Sequence, residues 1–308
     1  MLQRPDLSVV IVNWNTRDLL AQCLQSVYDT AGELQIEVIV VDNASADGSV
    51  EMVQSRFPQV RLIRNTENVG FTRANNQALA ICKGRYALLL NSDAVVLPGS
   101  LMTLVRFADA HSKAGIVGAR LLNPDGSFQA SFTDFPTLWR EFLMLSGLGR
   151  LLHGRWYPSH GPRQSQQTVQ ADYVEGACLL VRREAMDEVG VFDEGYFMYA
   201  EEVDWCYRMK QAGWEVWFLA QAPIIHYGGG SSRQRRTRSE AELYRSRIRF
   251  FHKHYGAEAA ARLKVLIYAI TAVKGVWHGT LRKLSGGRRG RMVVGWRELR
   301  ALLEGARP

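Results

Sequence analysis

The sequence predicts an α/β fold with a mostly parallel central sheet flanked by helices, Rossmann-like in plan, and a helical basic C-terminal extension. Over the first 122 residues, short apolar runs alternate with segments whose apolar residues recur at helical spacing. The apolar runs are unbroken, as in strands that are covered on both faces. Charge is uneven, because residues 233–308 hold 19 Lys and Arg against 5 Asp and Glu, whereas residues 1–232 hold 19 against 25. The two regions are therefore predicted to have different roles.

Local signals place each element in turn. Asn15 or Thr16 can cap the first helix, Pro58 and Gly84 lie beyond the ends of the next two, and Pro98 opens the fourth. Strands are predicted at residues 7–12, 37–42, 60–65, 86–90, 115–122, 173–182, 215–219 and 224–226. Further helices are predicted at residues 138–152, 183–189 and 200–213. The segment 123–171 is otherwise a long irregular excursion.

Several classes of protein are excluded. The sequence has no GxGxxG and no GxxxxGK[ST] motif, which argues against a dinucleotide-binding Rossmann domain and a P-loop. Its four cysteines form no CxxC pair, so we expect buried thiols and a reducing, cytoplasmic setting. The first apolar run is too short for a signal peptide, and no stretch reaches the roughly 20 apolar residues of a membrane span.

Polar turns follow three of the predicted strands, at residues 13–16, 42–49 and 91–93. In parallel sheets, ligands bind at the carboxyl ends of strands. Asp42, at the end of the second strand, could accept a hydrogen bond from a ribose hydroxyl or a base N–H. The alternative is an Asx-turn carboxylate that binds the next backbone amides.

Asn91, Ser92 and Asp93 follow the fourth strand and predict a metal site. Oxygen-bearing side chains two residues apart face the same crevice, as Mg²⁺ or Mn²⁺ requires when it bridges a nucleotide diphosphate. His226, at the end of the last strand, could complete the site with Asp93, or could be a structural histidine.

The segment around residues 68–76 offers a second set of candidates. Gly70 could allow a ligand to approach the backbone, Arg73 could meet phosphate, and Asn75 and Asn76 could meet sugar hydroxyls. Two asparagines are poor choices inside a helix, which favours a role beyond helix formation.

Three acids, Glu201, Glu202 and Asp204, open a later helix amid aromatic residues. Carboxylates in a first turn can simply complement the helix dipole, at about 0.3–1 kcal/mol each. An apolar setting, however, raises the pKa of a carboxyl by desolvation, as suits a general base.

In this order, the motifs resemble those of family 2 glycosyltransferases with the GT-A fold, in the bacterial rhamnosyltransferase-like branch. The resembling segments are LSVVIVNWN (7–15), VIVVDNASADGS (38–49), NTENVGFTRANN (65–76), LLLNSD (88–93), EGACLLVRR (175–183), VGVFDEGYFMYAEEVDWCYR (189–208) and IIHYGGGSS (224–232). The resemblance implies a catalytic domain over residues 1–232, with a nucleotide-sugar half at 1–122 and an acceptor half at 123–232. Residues 233–308 form the basic helical region.

The resemblance also implies roles for individual residues. It implies inverting transfer of a single sugar, with dTDP-rhamnose as the leading donor, to an acceptor hydroxyl in cell-surface polysaccharide synthesis. Asp93 and His226 match metal ligands, Glu202 matches the general base, and Glu201 and Asp204 are its rivals. The first acid of the usual DxD motif is Asn91 here, which leaves one fewer charged ligand. Gly176 is assigned to the acceptor side. The residues assigned to binding of the nucleotide sugar are Asn13, Asp42, Gly70, Arg73, Asn75, Asn91 and Ser92.

The composition of the basic region indicates where in the cell the protein acts rather than which reaction it catalyses. For residues 262–300, basic amphipathic helices with Trp and Leu favour peripheral contact with an anionic membrane, at its inner face, near a saccharide or lipid-linked acceptor. For residues 240–255, we expect a helix that packs on the body. No nucleic-acid-binding fold accompanies the charge, so a nucleic-acid partner is not expected.

Two rival functions remain at this point. A nucleotidyltransferase would share the sheet but would need a Gly-rich phosphate loop after the first strand, where NWNT (13–16) stands. A non-catalytic sugar-nucleotide or polysaccharide binding protein is kept open by Asn91 and Glu202, which depart from the usual acids.

Overall fold

The computed structural model describes residues 4–151, 164–228 and 236–284. The chain divides into two compact units. The first comprises Met1–Phe135, Ser159–Phe197 and Glu201–Gln234, and the second comprises Pro136–Pro158, Met198–Ala200 and Arg235–Pro308. The second unit thus takes in two segments that lie before residue 233.

The first unit is built on a nine-stranded sheet in the described part of the chain, and a two-stranded sheet accompanies it. The strands are β1 Leu7–Asn13, β2 Ile36–Asp42, β3 Arg61–Arg64, β4 Tyr86–Leu90, β5 Ala94–Val96, β6 Ala114–Leu122, β7 Phe132–Thr133, β8 Val169–Gln170, β9 Tyr173–Val174, β10 Cys178–Arg182 and β11 Glu215–His226. The large sheet has the order β3-β2-β1-β4-β10-β6-β11-β5, with β8 paired to β11, and β7 pairs with β9 in the small sheet. Six strands of the large sheet run in one direction, and β5, β8 and β10 oppose them. The mostly parallel α/β sheet is therefore confirmed.

Helices cover both faces of the large sheet. In the first unit these are α1 Arg17–Thr30, α2 Ser49–Arg56, α3 Phe71–Leu79, α4 Ser100–Ala110, α6 Arg183–Val189 and α7 Glu201–Gln211. The second unit has its own helices, α5 Leu138–Ser146 and α8 Arg236–Leu284. Successive residues of β1 show why its apolar run is unbroken. Val9 and Ile11 belong to one buried cluster and Val10 to the other, because side chains alternate across a strand.

The first unit differs from the prediction in three places. The predicted strand at 173–182 is two strands, β9 and β10, separated at Gly176. The predicted strands at 215–219 and 224–226 are one strand, β11, whose register against β6 shifts between Leu219 and Pro223. The short strands β5, β7 and β8 were not predicted, since two or three residues are too few to show a period.

The second unit joins α5 to the long helix α8. Arg247 donates from Nη1 to Oε2 of Glu141 at 2.9 Å, and both side chains are largely buried. Burial raises the pKa of Glu141, and the charge of Arg247 opposes that rise. α8 is not continuous, because Gly256 adopts a φ of 89° that breaks the helical path. Within the described residues, no helix combines the length and hydrophobicity needed to cross a bilayer.

Candidate active site

The site begins at the carboxyl ends of β1 and β2. Parallel pairing sets Asn13 opposite Asp42, and both side chains are buried. Asn13 donates from Nδ2 to Oδ2 of Asp42 at 2.9 Å, while the other oxygen, Oδ1, accepts from the backbone N–H of Ser45 at 2.9 Å. Asp42 therefore makes the Asx-turn contact of the alternative interpretation.

A chain of hydrogen bonds connects this pair to the turn after β4. Thr16 donates from Oγ1 to Oδ1 of Asn13 at 2.6 Å, and its oxygen lies 2.8 Å from Oγ of Ser92. The four side chains from Asp42 to Ser92 thus form one connected network across three strands. Such a network fixes the rotamers of the groups that would hold a ligand, because each polar atom has a defined partner.

Asp93 and His226 meet at the next position of the same turn. Oδ1 of Asp93 lies 3.2 Å from Nε2 of His226, and Asn91 approaches that nitrogen with Nδ2 at 3.3 Å. On the other side of the ring, Nδ1 of His226 lies 2.8 Å from Oε1 of Gln129. Since an amide oxygen only accepts, Nδ1 donates to Gln129, and Nε2 is the ring nitrogen that faces Asp93.

This arrangement fits a divalent cation. A carboxylate oxygen and an imidazole nitrogen that lie 3.2 Å apart can both bind one cation, just as they can share a proton when no cation is bound. No group of three or more His, Cys, Asp or Glu side chains with metal-binding geometry occurs among the described residues. Two protein ligands are what Mg²⁺ or Mn²⁺ commonly uses when substrate phosphates and water fill the remaining positions.

The acid pair at the start of α7 is enclosed. Glu201 is buried, and Oε2 of Glu201 and Oε2 of Glu202 have no hydrogen-bond partner, although Glu202 as a whole is half-buried. Burial raises the pKa of Glu201 to about 7. Burial, followed by the charges of Glu201 and Glu175, raises the pKa of Glu202 well above its usual 4.5. These are the properties of a general base that operates near neutral pH.

The acid pair lies close to the turn at residues 91–93. A Cβ added to Gly176 would sit 3.6 Å from Cβ of Glu202, so the glycine lies directly against this side chain. The next residue, Ala177, accepts a hydrogen bond through its carbonyl from the backbone N–H of Asn91 at 3.0 Å. A single short segment therefore separates the enclosed carboxyl from the turn that carries Asp93.

Asp204, a rival for the role of base, is held in an ion pair. Its Oδ2 accepts from Nε of Arg208 at 2.8 Å, and Asp204 is fully buried. The same guanidinium donates to the carbonyls of Val189 and Val191. This carboxylate is thus engaged in holding the segment before α7, which leaves Glu202 and Glu201 as the acids with an unpaired oxygen.

The candidates around α3 make most of their contacts with protein. Gly70 has a φ of 94°, and a Cβ there would lie 2.7 Å from the ring of Phe197, so its open side is filled. Arg73 forms an exposed ion pair with Glu194 at 3.5 Å. Asn75 donates to the carbonyl of Phe71, which satisfies the buried amide within its own helix. Their part in binding a nucleotide sugar stays a prediction.

Three residues of the site have no functional signal in the sequence. Thr16 is a candidate helix cap and Ser45 belongs to a polar turn, yet in the fold both hold Asn13. Gln129 lies in the irregular segment after residue 122, where periodicity gives no register. Gln129 contacts His226, at the end of β11, only because the fold brings the two residues together.

Comparison with known proteins gives the family. The family model described as Glycosyl transferase family 2 matches residues 8–190. N-acetylglucosaminyl-diphospho-decaprenol L-rhamnosyltransferase of Mycobacterium tuberculosis is 31% identical over 245 residues, which cover 73% of this chain and 77% of the relative. Rhamnosyltransferase WbbL of Escherichia coli (strain K12) is 26% identical over 235 residues, covering 73% of this chain and 84% of WbbL.

A solved structure shows the same fold. The mannosyltransferase PcManGT from Pyrobaculum calidifontis, in complex with GDP-Man and Mn²⁺, superposes with a TM-score of 0.57 at 16% identity. The match covers 99% of this chain and 86% of the mannosyltransferase. The central sheet and its helices are thus those of the GT-A glycosyltransferases.

Proposed function

This chain belongs to glycosyl transferase family 2, and on that premise we propose that it transfers one L-rhamnose from a nucleotide diphosphate to an acceptor hydroxyl, with inversion at the anomeric carbon. Two relatives that each align with about three quarters of the chain are named as rhamnosyltransferases. The geometric observation that carries the proposal is the enclosed, unpaired carboxyl of Glu202 one segment away from the Asp93–His226 pair.

The acceptor in this proposal is a lipid-linked saccharide. The mycobacterial relative is named for an acceptor that carries N-acetylglucosamine on diphospho-decaprenol. An acceptor of that kind belongs to cell-surface glycan synthesis and lies at a membrane, so we place the protein on the cytoplasmic side, in peripheral contact with the bilayer. Residues 1–232 would supply the catalysis.

The donor side would be held by the polar network. Asn13 orients the carboxylate of Asp42 toward a ribose hydroxyl or base N–H, and Ser92 lies at the turn where the diphosphate would be placed. Asp93 and His226 would hold Mg²⁺ or Mn²⁺. When bound, such a cation offsets the charge that develops on the leaving diphosphate.

The acceptor side would be served by Glu202. Its carboxylate would take the proton of the acceptor hydroxyl as that oxygen attacks the anomeric carbon from the face opposite the diphosphate. Burial raises the pKa of Glu202, which strengthens it as a base once it is ionised. Gly176 leaves room beside this carboxyl, since any larger residue would occupy the adjoining space.

A donor screen tests the proposal. Thermal shift with a panel of nucleotide sugars, with and without Mn²⁺, should single out dTDP-rhamnose with a metal-dependent rise in Tm. Transfer to a lipid-linked N-acetylglucosaminyl diphosphate should then release dTDP. Binding without release of dTDP would instead support a binding protein, and stabilisation by another donor alone would replace rhamnose.

A further inference from the structure

Exposed apolar side chains are concentrated in the second unit. Seven large hydrophobic residues are exposed among those that the structure describes, and six of them belong to this unit. The six are Trp139, Met144, Leu148, Tyr255, Val265 and Val273. Scattered exposed hydrophobics are ordinary, but such a concentration marks an interaction surface.

Residues 263–273 of α8 are apolar on two sides of the helix. Leu263 and Ile267 are buried, as expected for the side that packs against protein. On another side Val265 is 66% exposed and Val273 is 69% exposed, and the residues between them on that stripe, Ala269 and Ala272, are exposed as well. A helix at a water-covered surface normally carries polar residues there, so this stripe lacks the composition that water favours.

α5 lies next to this part of α8. Nζ of Lys274, the residue after Val273, donates to the carbonyl of Leu145 near the end of α5. Met144 and Leu148, on either side of Leu145 in the chain, are both exposed. Trp139, at the start of the same helix, is 54% exposed. Tryptophan with short aliphatic residues is typical of surfaces that insert at a membrane interface.

Positive charge accompanies the stripe. Residues 257–274 contain three bases, Arg262, Lys264 and Lys274, against one acid, Glu258, which pairs with Arg262. Two copies of such a face would repel each other, whereas anionic lipid headgroups would attract it. The charge therefore favours a bilayer over a second copy of the chain as the occupant.

We propose that the exposed side of α5 and residues 257–274 of α8 form a docking surface for an anionic bilayer, with Val265 and Val273 inserted among the acyl chains. The proposal deepens the proposed function, because a lipid-linked acceptor is met at such a surface, but it rests on residues outside the candidate active site. It also assigns α5, which precedes the basic region in sequence, to membrane contact.

The test is co-sedimentation of the full chain with vesicles of phosphatidylcholine containing phosphatidylglycerol. The variant Val265→Glu/Val273→Glu keeps good helix formers at exposed positions and should partition about a hundredfold more weakly, since two side chains leave the apolar layer. The matched control is Gln54→Glu/Gln211→Glu, which makes the same change in net charge at exposed positions of the first unit and should lose far less affinity.

Activity separates this inference from the proposed function. Transfer to a short, water-soluble acceptor should be equal in the wild type and the valine variant, whereas transfer to the lipid-linked acceptor in vesicles should fall. Equal partitioning of the valine variant and its control would overturn the docking surface. So would a dimer, seen by sedimentation velocity without vesicles, that the valine substitutions dissociate.

Discussion

Glu201 and Glu202 show how single residues acquire function from their surroundings. Both are ordinary first-turn acids in sequence, and the helix dipole alone would account for them. In the fold, Oε2 of each glutamate is buried and has no hydrogen-bond partner. The pKa of Glu201 rises to about 7, and that of Glu202 also rises, because water no longer stabilises the charged forms.

The pH dependence of transfer follows from this pair. The base is active when ionised, so kcat/KM should rise with pH through a titration well above pH 4.5. The charge of Glu201 helps to raise the pKa of Glu202, and Glu201→Gln should therefore move this acid limb to lower pH. Profiles between about pH 5 and pH 9 would measure the shift. The control Glu184→Gln, at an exposed position of α6, should leave the limb in place.

Glu202→Gln should reduce transfer by about 10²–10⁴-fold while donor binding persists, because only the proton acceptor is lost. Its effect on stability has a definite sign. A carboxyl whose pKa is raised in the folded state stabilises the fold below its unfolded pKa and loses that contribution as pH rises through the folded pKa. The variant should thus gain in Tm over the wild type more at alkaline than at acidic pH. Full activity would remove Glu202 from its role.

Gln129 is predicted to position the imidazole of His226. Gln129→Leu removes the acceptor for Nδ1–H, and we expect Mn²⁺ to bind about 10–100-fold more weakly. Binding of Mn²⁺ can be measured by electron paramagnetic resonance, alongside the Mn²⁺ concentration that gives half-maximal activity. Gln129→Glu keeps an acceptor and should restore most of the affinity. An unchanged Mn²⁺ affinity in the leucine variant would refute this role.

At the scale of elements, long periodic segments were predictable and short ones were not. The unbroken run of β1 and the helical spacing of α1 each bury many side chains, so their patterns are strong. β11 was divided in the prediction because Gln221 and Pro223 interrupt its apolar pattern, yet pairing with β6 resumes beyond them. The length of β11 is therefore set by its pairing with β6, which is distant in sequence.

The entry to α3 offers a test of backbone geometry. Gly70→Ala would place a Cβ 2.7 Å from Phe197 at a φ of 94°, whereas Gly190 has a similar backbone conformation with open space around it. Both substitutions should cost about 1–3 kcal/mol from backbone strain. Gly70→Ala should lower the free energy of unfolding further, because of the clash. Urea denaturation of both variants would show the difference, and equal losses would mean that Phe197 yields.

At the scale of the whole molecule, charge separates into two regions, with an excess of acids up to residue 232 and an excess of 14 bases from residue 233. We expect binding to phosphatidylglycerol vesicles to weaken as salt rises from about 0.05 to about 0.5 M, because screening shortens the range of attraction. Transfer to a water-soluble acceptor should change little over that range. Vesicle binding that is insensitive to salt would assign the basic region another partner.

The sequence by itself determined the α/β class, the family resemblance and the turns that carry Asp42, Asp93 and Glu202, because these depend on local period and on residues adjacent in the chain. The tertiary structure decided which polar groups have partners. It engaged Asp204 with Arg208, set Gln129 behind His226, and left Glu202 enclosed beside Gly176. It also joined α5 to α8 in one unit. Burial and hydrogen bonding between residues distant in sequence have no local signal, and they set the chemistry of this site.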